Sequence, residues 1–279
     1  FIRRMAGLGR APSTGGTHRY EKRFHHCDVL IVGAGPAGLA AAQVAAATGL
    51  RVTLVDEGQS AGGQLLELDV TVGGVPGREW VRDVCAELDG TDNVTRLTNT
   101  TATGYYDHDF VTLLERSPQP EWLHERLWKV RARKVVLACG AIERPLVFPG
   151  NDRPGVMMLH AALRYAVRYG VMAGRRAVVI TNNSSAFQTT AALAAMGLSV
   201  EAVVDVRTGP DASLGTLPES TTLLAGHTIA ATTGRHGIKN VTVTSLTTPS
   251  MTRVIECDLV LMSGGWNPLV HLASQTGAK

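Results

Sequence analysis

The apolar positions of this chain fall into short unbroken runs separated by a longer alanine-rich stretch. Asp28-Val-Leu-Ile-Val32 and Arg51-Val-Thr-Leu-Val55 have the pattern of strands buried on both faces. Between them, residues 36–48 are rich in alanine and are followed by Gly49, which predicts a helix with a glycine stop. Strand, helix and strand make a βαβ unit. The rhythm returns further on. Arg176–Thr181 predicts a strand, Ala186–Ala195 a helix with Gly197 as its stop, and Val200–Val204 a strand. Lys134–Ala138 and Asp258–Met262 read as further buried strands, and residues 156–170 as a helix. Residues 94–102, 109–116 and Trp128–Arg133 read as an antiparallel excursion between the two units. Trp80–Leu88 reads as a short helix, the glycine-rich stretch 58–77 as a loop, and 222–232 and 240–247 as strand-like.

Two βαβ units separated by an antiparallel insert predict an α/β protein: an FAD/NAD(P)-binding, Rossmann-like fold with two dinucleotide domains, the second inserted in the first. The expected division is a basic, irregular segment over 1–26, a first domain over 27–155 and 250–279, and a second, degenerate domain over 156–249. This division has the late strands return to the first sheet.

Composition narrows the function classes. The 279 residues are 44% hydrophobic, enough for a core and against a disordered chain. A net charge of +3 without clustered Lys/Arg stripes gives no case for nucleic acid. Cys27, Cys85, Cys139 and Cys257 lie far apart with no C-x-x-C, so neither a redox dithiol nor a zinc ribbon is expected, and isolated reduced thiols suit a cytoplasmic protein. Residues 29–50 are uncharged over about a membrane's length, but Gly-x-Gly-Pro interrupts them and the two halves read as different elements, so no span is expected. His25 and His26 are adjacent and point to different sides of an element, which makes them poor joint metal ligands.

Gly33-Ala34-Gly35-Pro36-Ala37-Gly38 is a G-x-G-x-x-G turn that directly follows a strand and opens a helix. Gly33 permits the tight turn, Gly35 lets backbone approach a pyrophosphate, and Gly38 lets helix and strand pack closely. The helix N-terminus offers free N–H groups and partial positive charge, and Pro36 costs nothing there. Asp56 ends the second strand, where a carboxylate accepts hydrogen bonds from ribose hydroxyls and repels a 2′-phosphate, and Glu57 adds to that repulsion. The expected ligand is NAD, or FAD on the same turn, rather than NADP. Gly62-Gly63-Gln64 follows closely enough to bring Gly63 and Gln64 near the pyrophosphate, or to be a plain flexible loop. Cys139, in a strand-end turn with Gly140, reads as a packing residue beside the cofactor.

Thr181-Asn-Asn-Ser-Ser-Ala186 stands where a second fingerprint belongs, with no glycine. Asn tolerates a turn, but side chains obstruct a pyrophosphate, so no second dinucleotide is expected there. Asp205 adds a charge unfavourable to NADP. No catalytic constellation emerges: the histidines are scattered, and neither H-E-x-x-H nor a G-x-S-x-G elbow after a strand occurs.

Several stretches together resemble the α subunits of heterotetrameric sarcosine oxidases. They are Cys27–Leu54 with Asp56-Glu57, the run Ala138-Cys-Gly-Ala-Ile-Glu-Arg-Pro through Asn151-Asp-Arg-Pro-Gly-Val156, Gly174–Asn183, and Ser263-Gly-Gly-Trp-Asn-Pro268 with Val270-His-Leu272. The opening Ala6–Pro12 is similar too. The resemblance implies oxidation of sarcosine to glycine and formaldehyde with oxygen becoming hydrogen peroxide. It also implies an FAD and an FMN elsewhere in the complex, an NAD held by the α subunit, and β, γ and δ subunits as partners. By carry-over, Gly33, Gly35, Pro36, Gly38 and Asp56 fall on the NAD site, with Gly63, Gln64 and Gly140 lining it; from their positions beside these residues, Ala37, Glu57 and Cys139 are expected at the coenzyme as well. It further implies a chain on the N-terminal side of a longer subunit, one not expected to be active alone. Part of an opine or cyanide-forming amine dehydrogenase, an FAD-dependent disulfide reductase-like enzyme and a scaffold that binds no nucleotide remain open.

Overall fold

The computed structural model describes residues 5–7, 13, 15, 18–119, 122–210 and 216–277. The first unit runs β1 (Tyr20–Val32), α1 (Pro36–Ala47), β2 (Val52–Val55), a ribbon of β3 (Thr71–Val72) and β4 (Val75–Pro76), α2 (Gly77–Asp89), β5 (Val94–Leu97), β6 (Thr100–Tyr106), β7 (Phe110–Gln119) and β8 (Leu123–Leu137). Its sheet has the order β5-β2-β1-β8-β7-β6, parallel from β5 to β8 and antiparallel beyond. Leu39 and Ala42 of α1 and Val81, Val84 and Leu88 of α2 bury against Ile31, Val52 and Leu54 on one face. Leu30, Val32 and Val55 point to the other face, toward Val111, Leu113, Trp128 and Val130 of the antiparallel strands. A strand buried on both sides needs the unbroken apolar run that β1 and β2 show.

A short strand β9 (Ala141–Glu143) leads to the second unit: β10 (Val156–Met158), α3 (Leu159–Tyr169), β11 (Arg176–Thr181), α4 (Ser185–Ala195), β12 (Ser199–Asp205), β13 (Thr222–Ala225), the antiparallel β14 (His227–Thr233), β15 (Asn240–Ser245) and β16 (Thr252–Glu256), and β17 (Leu259–Ser263). Its parallel sheet has the order β10-β17-β11-β12-β13. Helices α3 and α4 cover one face around the fully buried Phe187 and Leu163. The three antiparallel strands cover the other through Ile229, Val241, Val243 and Ile255. Then β18 (Trp266–Pro268) pairs with β9, and α5 (His271–Gln275) returns to the first unit. There Leu272 is buried with Val111 and Leu113, and the Tyr105 amide donates to the Gln275 side-chain oxygen at 2.7 Å. The fold is thus α/β and Rossmann-like, with the second unit inserted in the first.

Several expectations need correction. Residues 20–26 are not irregular: they extend β1 in parallel register with 125–131 of β8. Residues 128–133 and 134–137 are not separate strands, because β8 runs unbroken through them to Leu137 and pairs with β1 and β7 at once. Residues 94–97 belong to the parallel edge beside β2, and the antiparallel part begins at Thr100. The 156–170 stretch opens with three residues of strand before α3 begins. Most consequentially, residues 259–263 do not return to the first sheet. They lie between β10 and β11 of the second, where all five residues are buried. The slot beside β1 is already filled by β8, and β16 likewise belongs to the second unit's antiparallel layer. The return to the first unit therefore begins well after residue 250, at β18 and α5. The opening segment similar to Ala6–Pro12 lies largely outside the described residues.

Candidate dinucleotide-binding site

In the first sheet the chain leaves β1 in one direction to β2, while β8 lies on the other side of β1. That reversal opens a crevice at the carboxyl end of β1, the usual ligand position in open parallel sheets. The Gly33–Gly38 turn occupies it, and the three glycines do different work. Gly33 has φ +102°, and an added Cβ would stand 2.3 Å from the Ala138 carbonyl oxygen. A Cβ on Gly38 would stand 1.8 Å from the Gly33 carbonyl oxygen. Both are required by packing. A Cβ on Gly35 would meet nothing within 4 Å. Gly35 therefore borders open space, where a bound diphosphate needs backbone unobstructed.

Helix α1 has no side-chain cap and no acid in its first turn. Its first helical bond runs from the Leu39 amide to the Gly35 carbonyl, which leaves the Ala37 and Gly38 amides without helical partners. Pro36 occupies the first helical turn, where no N–H is needed. Gly62 and Gly63 close in from the side: the Gly62 amide donates to the Ala34 carbonyl at 2.7 Å, and a Cβ on Gly63 would stand 3.2 Å from the Gly35 Cα. Gly63 opens a short 3-10 turn over Gly63–Leu66, and the Gln64 side chain on it is exposed. These features fit a dinucleotide's diphosphate.

Asp56 sits at the end of β2 as expected, half-buried, with Glu57 exposed beside it. The structure adds a role that spacing did not show. Asp56 Oδ2 accepts the Ala34 amide at 2.6 Å and Oδ1 accepts the Gly58 amide at 2.8 Å. A carboxylate has about four acceptor positions, so a ribose can still be bound. Cys139 and Gly140 follow β8 at the same rim. The Cys139 thiol lies 3.8 Å from the Val32 carbonyl oxygen, and burial, with the Glu57 and Asp56 charges, raises its pKa. The half-buried thiol beside the turn is thus held toward its protonated form. Gly140 is exposed with φ +71°.

The second sheet repeats the arrangement, with β17 and β12 on either side of β11. Here side chains fill the turn. The Asn183 side-chain amide donates to Thr181 Oγ1 at 3.2 Å, to the Ser263 carbonyl at 3.0 Å and to the Ser263 hydroxyl at 3.1 Å. Its oxygen accepts the Ser185 hydroxyl at 2.6 Å, and the Trp266 indole donates to the Ser185 oxygen at 3.0 Å. Asp205 is fully buried and engaged by Arg207, whose guanidinium also reaches the Ser184 hydroxyl at 3.1 Å.

The family-like stretches have structural reasons as well. The Glu143 carboxylate accepts the His160 amide at 2.9 Å, and burial raises its pKa against the opposing Ser263 hydroxyl. Arg153 ties its loop to Thr232 and to the Gly234 carbonyl. Among the described residues no cluster of His, Cys, Asp or Glu is placed to hold a metal, and no helix is long and apolar enough to cross a membrane. A hollow of about 620 Å³ bordered by Gly174, Arg175 and Asp258 lies at the strand N-termini of the second sheet, the end away from the ligand crevice.

A glycine turn at the switch point of one sheet, an acid ending the next strand, and a second parallel α/β unit inserted downstream define a dinucleotide-binding oxidoreductase fold. The chain belongs to the pyridine nucleotide-disulphide oxidoreductase family, which it matches over residues 27–279. Along its whole length it is homologous to the alpha subunit of sarcosine oxidase. It is 41% identical to that of Rhizobium meliloti (strain 1021) over 284 residues, covering 100% of this chain and 28% of the relative. It is 37% identical to that of Corynebacterium sp. (strain U-96), covering 99% of this chain and 30% of the relative. The chain thus spans less than a third of these relatives' length. An opine oxidase subunit of Agrobacterium tumefaciens (strain Ach5) is 31% identical over 66% of this chain and 37% of its own length. Among solved structures, L-proline dehydrogenase from P. horikoshii superposes with TM-score 0.70 at 23% identity, covering 94% of this chain and 46% of that one. Thioredoxin reductase of Lactococcus lactis superposes with TM-score 0.70 at 21% identity, covering 90% and 81%. These two show the shared fold.

Proposed function

We propose that this chain is the dinucleotide-binding region of the α subunit of a sarcosine-oxidising complex, that it holds NAD at the Gly33–Gly38 turn, and that it holds no dinucleotide at Thr181–Ala186. The complex as a whole converts sarcosine, water and oxygen to glycine, formaldehyde and hydrogen peroxide, using FAD and FMN carried elsewhere and β, γ and δ subunits as partners in the cytoplasm. The homology along the whole chain supports that assignment.

The observation that carries the site is the contrast among the three glycines, since only Gly35 faces open space. The Ala37 and Gly38 amides and the dipole of α1 take the diphosphate charge. Asp56 accepts ribose hydroxyls, and with Glu57 it repels a 2′-phosphate, which favours NAD over NADP. Cys139, Gly140, Gly63 and Gln64 line the rim. When bound, NAD supplies a nicotinamide able to exchange hydride. No residue here is assigned a catalytic step. FAD grips the same kind of turn, so the test is direct: the purified complex is heated and the released ligand identified by mass spectrometry. NAD released in proportion to this chain supports the proposal, and its absence from the freshly purified complex contradicts it.

A further inference from the structure

Residues 62–68 connect the candidate cradle to the second unit. At one end, Gly62 is bonded to Ala34 and Gly63 lies against Gly35. In the middle, the Gln64 carbonyl accepts the Glu67 and Leu68 amides, each at 3.0 Å, which makes 64–68 one hydrogen-bonded turn. At the other end the segment enters a different core. Leu65 is buried with the first unit's helices, whereas Leu68 packs against the cluster around Leu163 and Phe187 of the second. Between them, the Glu67 side chain is fully buried and is met from three directions by α3. His160 Nε2 lies 2.7 Å from Oε2, Arg164 Nε 2.9 Å from Oε1, and an Arg168 terminal nitrogen 2.7 Å from Oε1. Apolar contacts alone would allow the two units to slide, whereas the charge-assisted hydrogen bond from Arg164 Nε to Oε1, with an Arg168 guanidinium nitrogen at ion-pair distance from the same oxygen, ties this carboxylate to α3.

We propose that Glu67 is a positioning residue for the dinucleotide site: α3 of the second unit holds its carboxylate, and through it holds the 62–66 turn against Gly35. This deepens the NAD reading and rests on it. It gives the second unit a part in coenzyme binding that needs no coenzyme of its own, because that unit supplies the fixed wall on which the first unit's turn is mounted. Pre-organising a binding loop raises affinity by removing the cost of ordering it on association.

The test uses the full polypeptide that carries the chain, with NAD+ affinity measured by calorimetry and amide hydrogen exchange followed by mass spectrometry. Glu67→Ala and the double variant Arg164→Ala/Arg168→Ala are expected to weaken NAD+ binding about tenfold or more and to speed exchange at 62–66. Val243→Ala, which destabilises the second unit from the antiparallel layer on the other face of its sheet, is the control and should bind NAD+ as the unchanged protein does. The arginine pair is partly exposed and carries the test should Glu67→Ala not fold. Folded variants that bind NAD+ within about twofold of the unchanged protein, with exchange at 62–66 unaltered, overturn the inference alone. An unchanged protein that takes up no NAD+ overturns the NAD reading, while exchange at 62–66 still reports whether α3 holds the turn.

Discussion

The Asp56 carboxylate accepts the Ala34 amide at 2.6 Å, so the acid that closes β2 also shapes the turn between β1 and α1. Asp56→Ala removes this strut, the bond from Gly58 and the proposed ribose acceptor together. It is expected to weaken NAD+ binding by about 1.5–3 kcal/mol and to lower thermal stability as well. Asp56→Asn, which keeps one acceptor oxygen, should fall between. Calorimetry and thermal unfolding check both effects, and an unchanged affinity in Asp56→Ala contradicts the ribose role.

Gly35 and Gly38 separate binding from folding. Gly35→Val places a side chain in open space, so the protein should fold normally and lose its dinucleotide. Gly38→Ala drives a methyl into the Gly33 carbonyl and should destabilise by roughly 1–3 kcal/mol whether or not ligand is present. Circular dichroism melts alongside ligand content decide this; a Gly35→Val protein that retains its dinucleotide counts against the site.

Acid should loosen the contact between the units. Burial pushes the Glu67 carboxyl up, but His160 and Arg164 more than offset it and bring the pKa to about 2, below the ordinary 4.5. The unfolded chain therefore takes up this proton first. The stabilisation is complete above about pH 4.5 and is lost as pH falls from there toward 2, on the order of 3 kcal/mol. Glu67→Gln should flatten that part of the stability curve, as urea melts across this range would show. A curve of identical shape in both proteins contradicts the assignment.

The βαβ rhythm made both units legible because strands buried on two faces must be continuously apolar, and Val29–Val32 and Val178–Ile180 are. The glycine turn was legible for the same kind of reason: backbone crowding at Gly33 and Gly38 permits no other residue. The placement of β17 was not. Leu259–Ser263 is an apolar run that suits the middle of either sheet, and only the pairing with β10 and β11 decides between them. Tyr20–His26 escaped notice because one side of that strand is solvated and its residues are polar or aromatic. Glu67 carried no sequence signal, since its three partners lie about a hundred residues away on a helix of another unit.

Cys139 should react slowly. Burial and the neighbouring acids hold its thiol pKa above the ordinary value, which keeps the nucleophilic thiolate scarce at neutral pH. Iodoacetamide labelling followed by peptide mass spectrometry should show Cys139 modified only as pH rises well into the alkaline range. Rapid labelling at neutral pH contradicts this and reopens a redox role.

Asn183→Gly restores a glycine at the second turn but should gain no coenzyme, because Trp266, Ser185, Arg207 and Asp205 still occupy its surroundings. It should instead cost about 1–3 kcal/mol through the lost bonds to Ser263. NADPH and NADH titrations of this variant check the point, and new binding contradicts the view that side chains close this turn.

The most direct test of the central claim is a crystal structure of the protein grown with NAD+. Difference density is expected against the amino end of α1, with the diphosphate at Ala37 and Gly38 and the adenine ribose at Asp56. Coenzyme density at Thr181–Ala186, with none at Gly33–Gly38, would contradict it.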